Sequence, residues 1–205
     1  MHNDLVSNTA RDREISLLLN AIKCIACKEI TTYLSVPITS GKRLLDYWIE
    51  KKEQTKSQTG SINSDEHKNK VVLPNLIHAE EVAKKVRSSN QLLIDPSQFD
   101  DVDGWGQDDY RVFWAGVIEN FVSKAIFVDG WNYSNGCAYE FLIAQRFGIP
   151  KFSESGVSLK LEDGIELISM AITQMDESLM DATFLRNVFE KLIEMRDENG
   201  LATSN

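Results

Sequence analysis

Apolar positions along this chain follow two rhythms. Short, mainly apolar runs read as strands at Thr31–Val36, with Tyr33 and Leu34 central, at Leu92-Leu93-Ile94 and at Ala125-Ile126-Phe127-Val128, and Lys151-Phe152 begins another short strand. Between them, apolar residues recur every three or four positions, as one helix face requires. Leu18, Leu19, Ile22 and Ile25 mark a helix over 9–29. Leu44, Leu45, Trp48 and Ile49 mark one over 42–52. Tyr110, Phe113, Trp114, Val117, Ile118 and Phe121 give the fullest stripe, over 108–122. Further helices are predicted over 75–89, 141–147 and 167–195, the last broken near 176–181.

Strands without polar alternation, separated by helices, predict a parallel sheet covered on both faces. The expected fold is α/β: an open parallel sheet of four to five strands, Rossmann-like or flavodoxin-like, in a single domain over 1–205. Residues 1–30 and 163–199 add terminal helices. The polar stretch 53–70 is read as a mobile surface insertion.

Open parallel sheets bind ligands beyond the carboxyl ends of their strands. Three loops leave those ends, 36–43, 95–106 and 129–140, and all carry polar residues or glycine. The first contains Thr39-Ser40-Gly41-Lys42-Arg43 before a helix, where backbone N–H groups and a cation suit a phosphate. It lacks the spacing of a Walker loop, and a turn with solvated charges explains it equally. The third contains Ser134-Asn135-Gly136-Cys137-Ala138-Tyr139-Glu140, which is expected to place Glu140 on the first turn of a helix. Read locally, the same residues make an ordinary helix cap.

Composition narrows the function classes. The net charge of −9 over 205 residues argues against sequence-independent binding of a nucleic-acid polymer, which depends on many Lys and Arg contacts. It leaves a single nucleotide open as ligand. No apolar stretch nears the roughly 20 residues of a membrane span, and the first residues lack a signal-peptide pattern, so a cytoplasmic protein without membrane partners is expected. Cys24 and Cys27 form a lone Cys-x-x-Cys in a helical pattern, Cys137 lies in the third loop with a thiol expected to be accessible, and His2, His67 and His78 are scattered. No metal or cofactor is expected.

The first and third loops together resemble the nucleoside 2-deoxyribosyltransferase-like superfamily, and most closely its 2'-deoxynucleoside 5'-monophosphate N-glycosidase branch. Tyr33-Leu34 followed by Ile38-Thr39-Ser40-Gly41-Lys42 falls in register with that branch's strand and phosphate loop. Ser134-x-Gly136-x-x-Tyr139-Glu140 matches its Ser-x-Gly-x-x-Tyr-Glu, and Gly148-Ile149-Pro150 matches its helix end. The resemblance covers about 31–152, with 53–70 outside it. Pro37 and Thr39 replace a Ser and an Arg of the branch, which leaves Lys42 or Arg43 to compensate. The family's helical Asp falls at Gly116, with Asp109 and Glu119 nearby on the same helix.

The resemblance implies cleavage of an N-glycosidic bond, by hydrolysis or transfer, through Glu140 as nucleophile. Its ionised form would be favoured by the helix start and by loop N–H groups. Asp129 is expected to serve the leaving base. Thr39, Ser40, Gly41, Lys42, Arg43, Ser134 and Gly136 would hold the substrate. Tyr33, Trp131 and Tyr133 would line the base pocket by stacking, or else are plain packing, and Tyr139 would hold Glu140 in place. A nucleoside or nucleotide is the expected ligand, and a homodimer or higher homo-oligomer the expected assembly. The alternatives are a non-catalytic nucleotide-binding or sensing module on the same fold, and an interaction protein that assembles through its terminal helices.

Overall fold

The computed structural model describes residues 2–26, 28–55, 63–87 and 92–202. Four parallel strands form its centre: β1 (Thr31–Ser35), β2 (Leu92–Ile94), β3 (Lys124–Phe127) and β4 (Lys151–Ser153), in the order β2-β1-β3-β4. β1 is buried at all five positions because it lies between two neighbours and under helices on both faces. Its registers are Tyr33 with Ile94 on one side and with Ala125 on the other. β2 is less buried than its apolar run predicts, since it forms the sheet edge and exposes Leu92. This is the Rossmann-like open sheet the sequence pattern predicts.

The helices are α1 (His2–Lys23), α2 (Lys42–Thr55), α3 (Ser64–His67), α4 (Leu73–Arg87), α5 (Gln107–Phe121), α6 (Asn135–Arg146), α7 (Leu161–Glu177) and α8 (Thr183–Ala202). Alternation along β1 divides the core. Tyr33 joins the larger apolar cluster, which α5, α6, α7 and α8 supply, while Leu34 and Val36 join a smaller one with Ala79, Val82 and Ala83 of α4. α1 rests outside α5. There the ideal Cβ of a residue at Gly116 would stand 3.0 Å from Leu19, and Arg11 pairs with Asp109 at 2.7 Å. The family-matched position Gly116 therefore serves helix packing.

The stretch read as an insertion behaves differently where it is described. Glu53 to Thr55 continue α2, and 64–70 is helical. Asn63 Oδ1 caps α3 by accepting from Asp65 N at 2.9 Å, and a π-helical turn, Lys68–Val72, runs into α4. Pro74, just inside α4, has no N–H to give back to that turn, which accounts for its width. Tyr47 donates to Glu66 at 2.8 Å and Lys70 to Glu50 at 2.8 Å, so these residues dock on α2. Residues 56–62 lie outside the described set. The predicted break in the C-terminal helix falls at 178–182, between α7 and α8.

Candidate active site

The strand order reverses between β1 and β3, so the loops leaving these two neighbours run to opposite sides and open a crevice. Two glycines make that parting possible. Gly41 has φ +82 and Gly130 φ +81, the left-handed region that side chains rarely adopt. An ideal Cβ at Gly41 would stand 2.7 Å from Pro37 Cβ and 3.1 Å from Gly130 O, and one at Gly130 would stand 3.0 Å from Lys42 N. The two loops touch here, and a cavity opens on each side of the contact.

The larger cavity is about 570 Å³, within the range of small-molecule sites. All three loops named from the sequence contribute to it: Thr39, Ser40 and Gly41 from the first, Phe99, Asp100 and Asp101 from the second, and Ser134, Gly136, Tyr139 and Glu140 from the third. Its floor is Glu140. Tyr33 Oη donates to Glu140 Oε1 at 2.8 Å, and Ser35 Oγ donates to Oε2 at 2.6 Å. Tyr33 and Ser35 are two apart on β1, so both project from the face that meets α6.

This corrects the expected placement of Glu140. Ser134 is the N-cap, accepting from Cys137 N, and α6 begins at Asn135. Glu140 therefore sits in the second turn, and the side-chain donors it meets are β1 hydroxyls. Burial pushes its carboxyl up to about 7, against the opposing pull of the Ser35 and Tyr33 hydrogen bonds. Burial therefore opposes its ionisation at neutral pH. The expectation of a carboxylate held ionised by the helix start does not hold. The Tyr33 hydroxyl is raised too, first by burial and then by the neighbouring Glu140 charge.

The aromatic roles are also rearranged. Tyr33 is fully buried and has no face toward the cavity; it holds Glu140. Tyr139, expected in that role, lines the cavity and meets Phe184 edge to face at 6.3 Å. Trp131 is core: it stacks on Phe141 at 4.8 Å and 13° and packs against Phe127. Tyr133 borders both cavities, with its hydroxyl on Gln174 at 2.9 Å. Cys137 is buried, and desolvation raises its thiol far above the usual range, so it is neither accessible nor nucleophilic. Of the other cysteine pair, Cys24 is exposed and Cys27 lies outside the described residues.

Near the cavity mouth, Ser40 Oγ donates to Ser134 Oγ at 2.9 Å, linking the first and third loops. The first loop is also tied from behind. Asn75, buried at the start of α4, donates from Nδ2 to the carbonyls of Pro37, Ile38 and Ser40, the last two at 3.1 Å, and its Oδ1 accepts from Arg43 at 2.8 Å. His67 Nε2 meets the Thr39 carbonyl at 2.9 Å. A planar trans peptide points its N–H opposite its C=O. Carbonyls of residues 38 and 40 tied to Asn75 therefore turn the N–H groups of Thr39 and Gly41 away from α4.

The smaller cavity, about 380 Å³, is lined by Lys42, Arg43, Asn75, Asp129, Gly130, Asn132 and Tyr133. Lys42, Arg43 and Asp129 thus face away from Glu140. Lys42 pairs with Asp46 and lies 5.6 Å from the Tyr133 ring centre. Asp129 is exposed, and its backbone N–H donates to Glu154 at 3.0 Å. These three are separated from the larger cavity by the glycine contact, which removes Asp129 as the acid beside Glu140. Asp109 and Glu119 border neither cavity: Asp109 accepts from Gly106 N at 2.7 Å and pairs with Arg11, and Glu119 is exposed.

Ser35, Asn75, Asp100, Asp101, Arg111 and Asp181 were not singled out from the sequence. Ser35 had a signal, since it shares a face with Tyr33 by strand alternation. Asp100 and Asp101 had a weaker one, since they lie in the loop 95–106 that leaves a strand end; Asn75, Arg111 and Asp181 had none, because they come from helices and a helix connection that only the fold brings to the site. Among the described residues no group of His, Cys, Asp and Glu side chains is arranged to hold a metal ion, and no helix is long and apolar enough to cross a membrane. Compared with family models, with curated proteins and with solved structures, the chain matches none.

Proposed function

We propose that this protein cleaves the N-glycosidic bond of a nucleoside or nucleotide, by hydrolysis or by transfer to a second base, with Glu140 as the nucleophile. The observation that carries the reading is a carboxylate at the floor of a 570 Å³ cavity, fixed through both oxygens by Tyr33 and Ser35. It agrees with the resemblance of Ser134–Glu140 and Ile38–Lys42 to the nucleoside 2-deoxyribosyltransferase-like superfamily. In this reading Glu140 attacks the anomeric carbon, the C1'–N bond breaks, and its electron pair leaves with the base, which takes up a proton. In this reading Asp100 or Asp101, which line the cavity from the loop after β2, carries that proton. Water or a second base then attacks C1' and frees the Glu140 carboxylate. Glu140 supplies its nucleophilic form only when ionised, so the rate rises with pH through about 7.

The test is release of free base from the common nucleosides, 2'-deoxynucleosides and their 5'-monophosphates, comparing the protein with Glu140→Gln. Base release by the first and not by the second is expected. No release from any member of the panel by protein with an intact circular-dichroism spectrum would sink the reading. Tight binding without release, unaffected by Glu140→Ala, would instead identify a sensing module.

A further inference from the structure

We propose that the Glu140 cavity selects an uncharged nucleoside over the corresponding nucleoside 5'-phosphate. The inference rests on the glycosidic reading above and adds to it the charge of the substrate. Among the described residues, the charged side chains lining this cavity are Asp100, Asp101, Arg111, Glu140 and Asp181. Four carboxyl groups face one cation. Arg111 is already paired with Asp108, and its guanidinium lies 4.7 Å from the centre of the Phe184 ring. Asp181 accepts from Thr183 N at 2.9 Å, and hydrogen bonding from the Thr183 side chain, then from that N–H, lowers its pKa.

The two cations that would complete a phosphate site stand elsewhere. Lys42 and Arg43 border the other cavity, engaged by Asp46 and Asn75, behind the contact of Gly41 with Gly130. The groups that remain beside the first loop on the Glu140 side carry no full positive charge: the paired hydroxyls of Ser40 and Ser134 and the backbone N–H groups of the loop. Hydroxyls that both donate and accept suit a sugar hydroxyl. A phosphate dianion placed there would meet acidic side chains without a free counter-cation, and such repulsion discriminates between ligands as effectively as attraction. Asp100, Asp101 and Asp181 are exposed, so salt screens the effect and the discrimination is moderate.

The experiment compares matched pairs, each common 2'-deoxynucleoside against its 5'-monophosphate, by kcat/KM for base release and by equilibrium binding to Glu140→Gln. At about 0.05 M salt the nucleoside is expected to win by roughly 10-fold or more, and the ratio is expected to shrink at about 0.5 M. Asp181→Asn should narrow the ratio as well, because Asn keeps the capping hydrogen bond while removing the charge. A monophosphate used as well as or better than its nucleoside overturns the inference and leaves the glycosidic reading standing. Nucleoside binding without base release overturns the glycosidic reading, and the charge preference is then read from binding alone. Neither release nor binding overturns both.

Discussion

The two cavities flanking the Gly41–Gly130 contact share residues of the same two loops, yet their chemistry is opposite. One side carries Glu140 with two hydroxyl donors and an acidic rim; the other carries Lys42 paired with Asp46, Arg43 bonded to the Asn75 amide, and the exposed Asp129. On the first side a carboxylate is desolvated until it titrates near neutrality. On the second, among the described residues, only Lys42 is in an ion pair, and Asp129 is exposed, the condition in which charges contribute little. The difference teaches that adjacency along a loop does not place side chains in one site. At a sheet's switch point, successive residues part to opposite sides.

The largest effect is expected on the acidic side. Glu140→Gln should reduce base release about a thousandfold or more and should also change stability. The folded carboxyl titrates at about 7 against an ordinary 4.5, so the folded protein binds the proton more tightly than the unfolded chain does. The stabilisation this proton provides is complete below pH 4.5 and is lost as pH rises through 7. Its full size is on the order of 3 kcal/mol. The melting temperature of Glu140→Gln should therefore match the parent near pH 5 and exceed it near pH 8. An equal deficit at both values would contradict the account of Glu140.

Tyr33→Phe removes one of the two donors that oppose that burial. A loss of about 10- to 100-fold in rate is expected, and the rising limb of the pH profile should move above its parent position, because the ionised form loses a hydrogen bond. A slower variant with an unmoved limb would reduce Tyr33 to packing. Asn75→Ala strikes the wall between the cavities. It leaves buried carbonyls of Pro37, Ile38 and Ser40 without their donor, at a cost of about 2 kcal/mol, read as a lower melting temperature together with weaker nucleoside binding. The smallest effects belong to the other side. Lys42→Ala and Asp129→Asn should each alter base release by less than about threefold. A large loss from either would dissolve the distinction between the two cavities.

The sheet was legible from sequence because its strands centre on short apolar segments without polar alternation and the neighbouring helices carry apolar stripes. The three loops that converge were legible for the same reason, since strand ends locate them. Side-chain direction within a loop was not, because it depends on φ at Gly41 and Gly130. Lys42 and Asp129 were therefore assigned to the wrong cavity. The exchanged roles of Tyr33 and Tyr139 have a similar origin: local pattern placed both near Glu140, and only the register of β1 against α6 decides which one touches it. The helix over 64–70 was masked by polar composition, since it docks through ion pairs and hydrogen bonds rather than an apolar face.

The central claim is that Glu140 attacks a sugar carbon, and mass spectrometry after incubation with a panel of 2'-fluoro nucleosides tests it most directly, because fluorine beside the anomeric carbon slows release of a glycosyl ester. A glycosyl mass is expected on the peptide containing Glu140 and absent from Glu140→Gln. Base release with no adduct, or an adduct on any other residue, would contradict it.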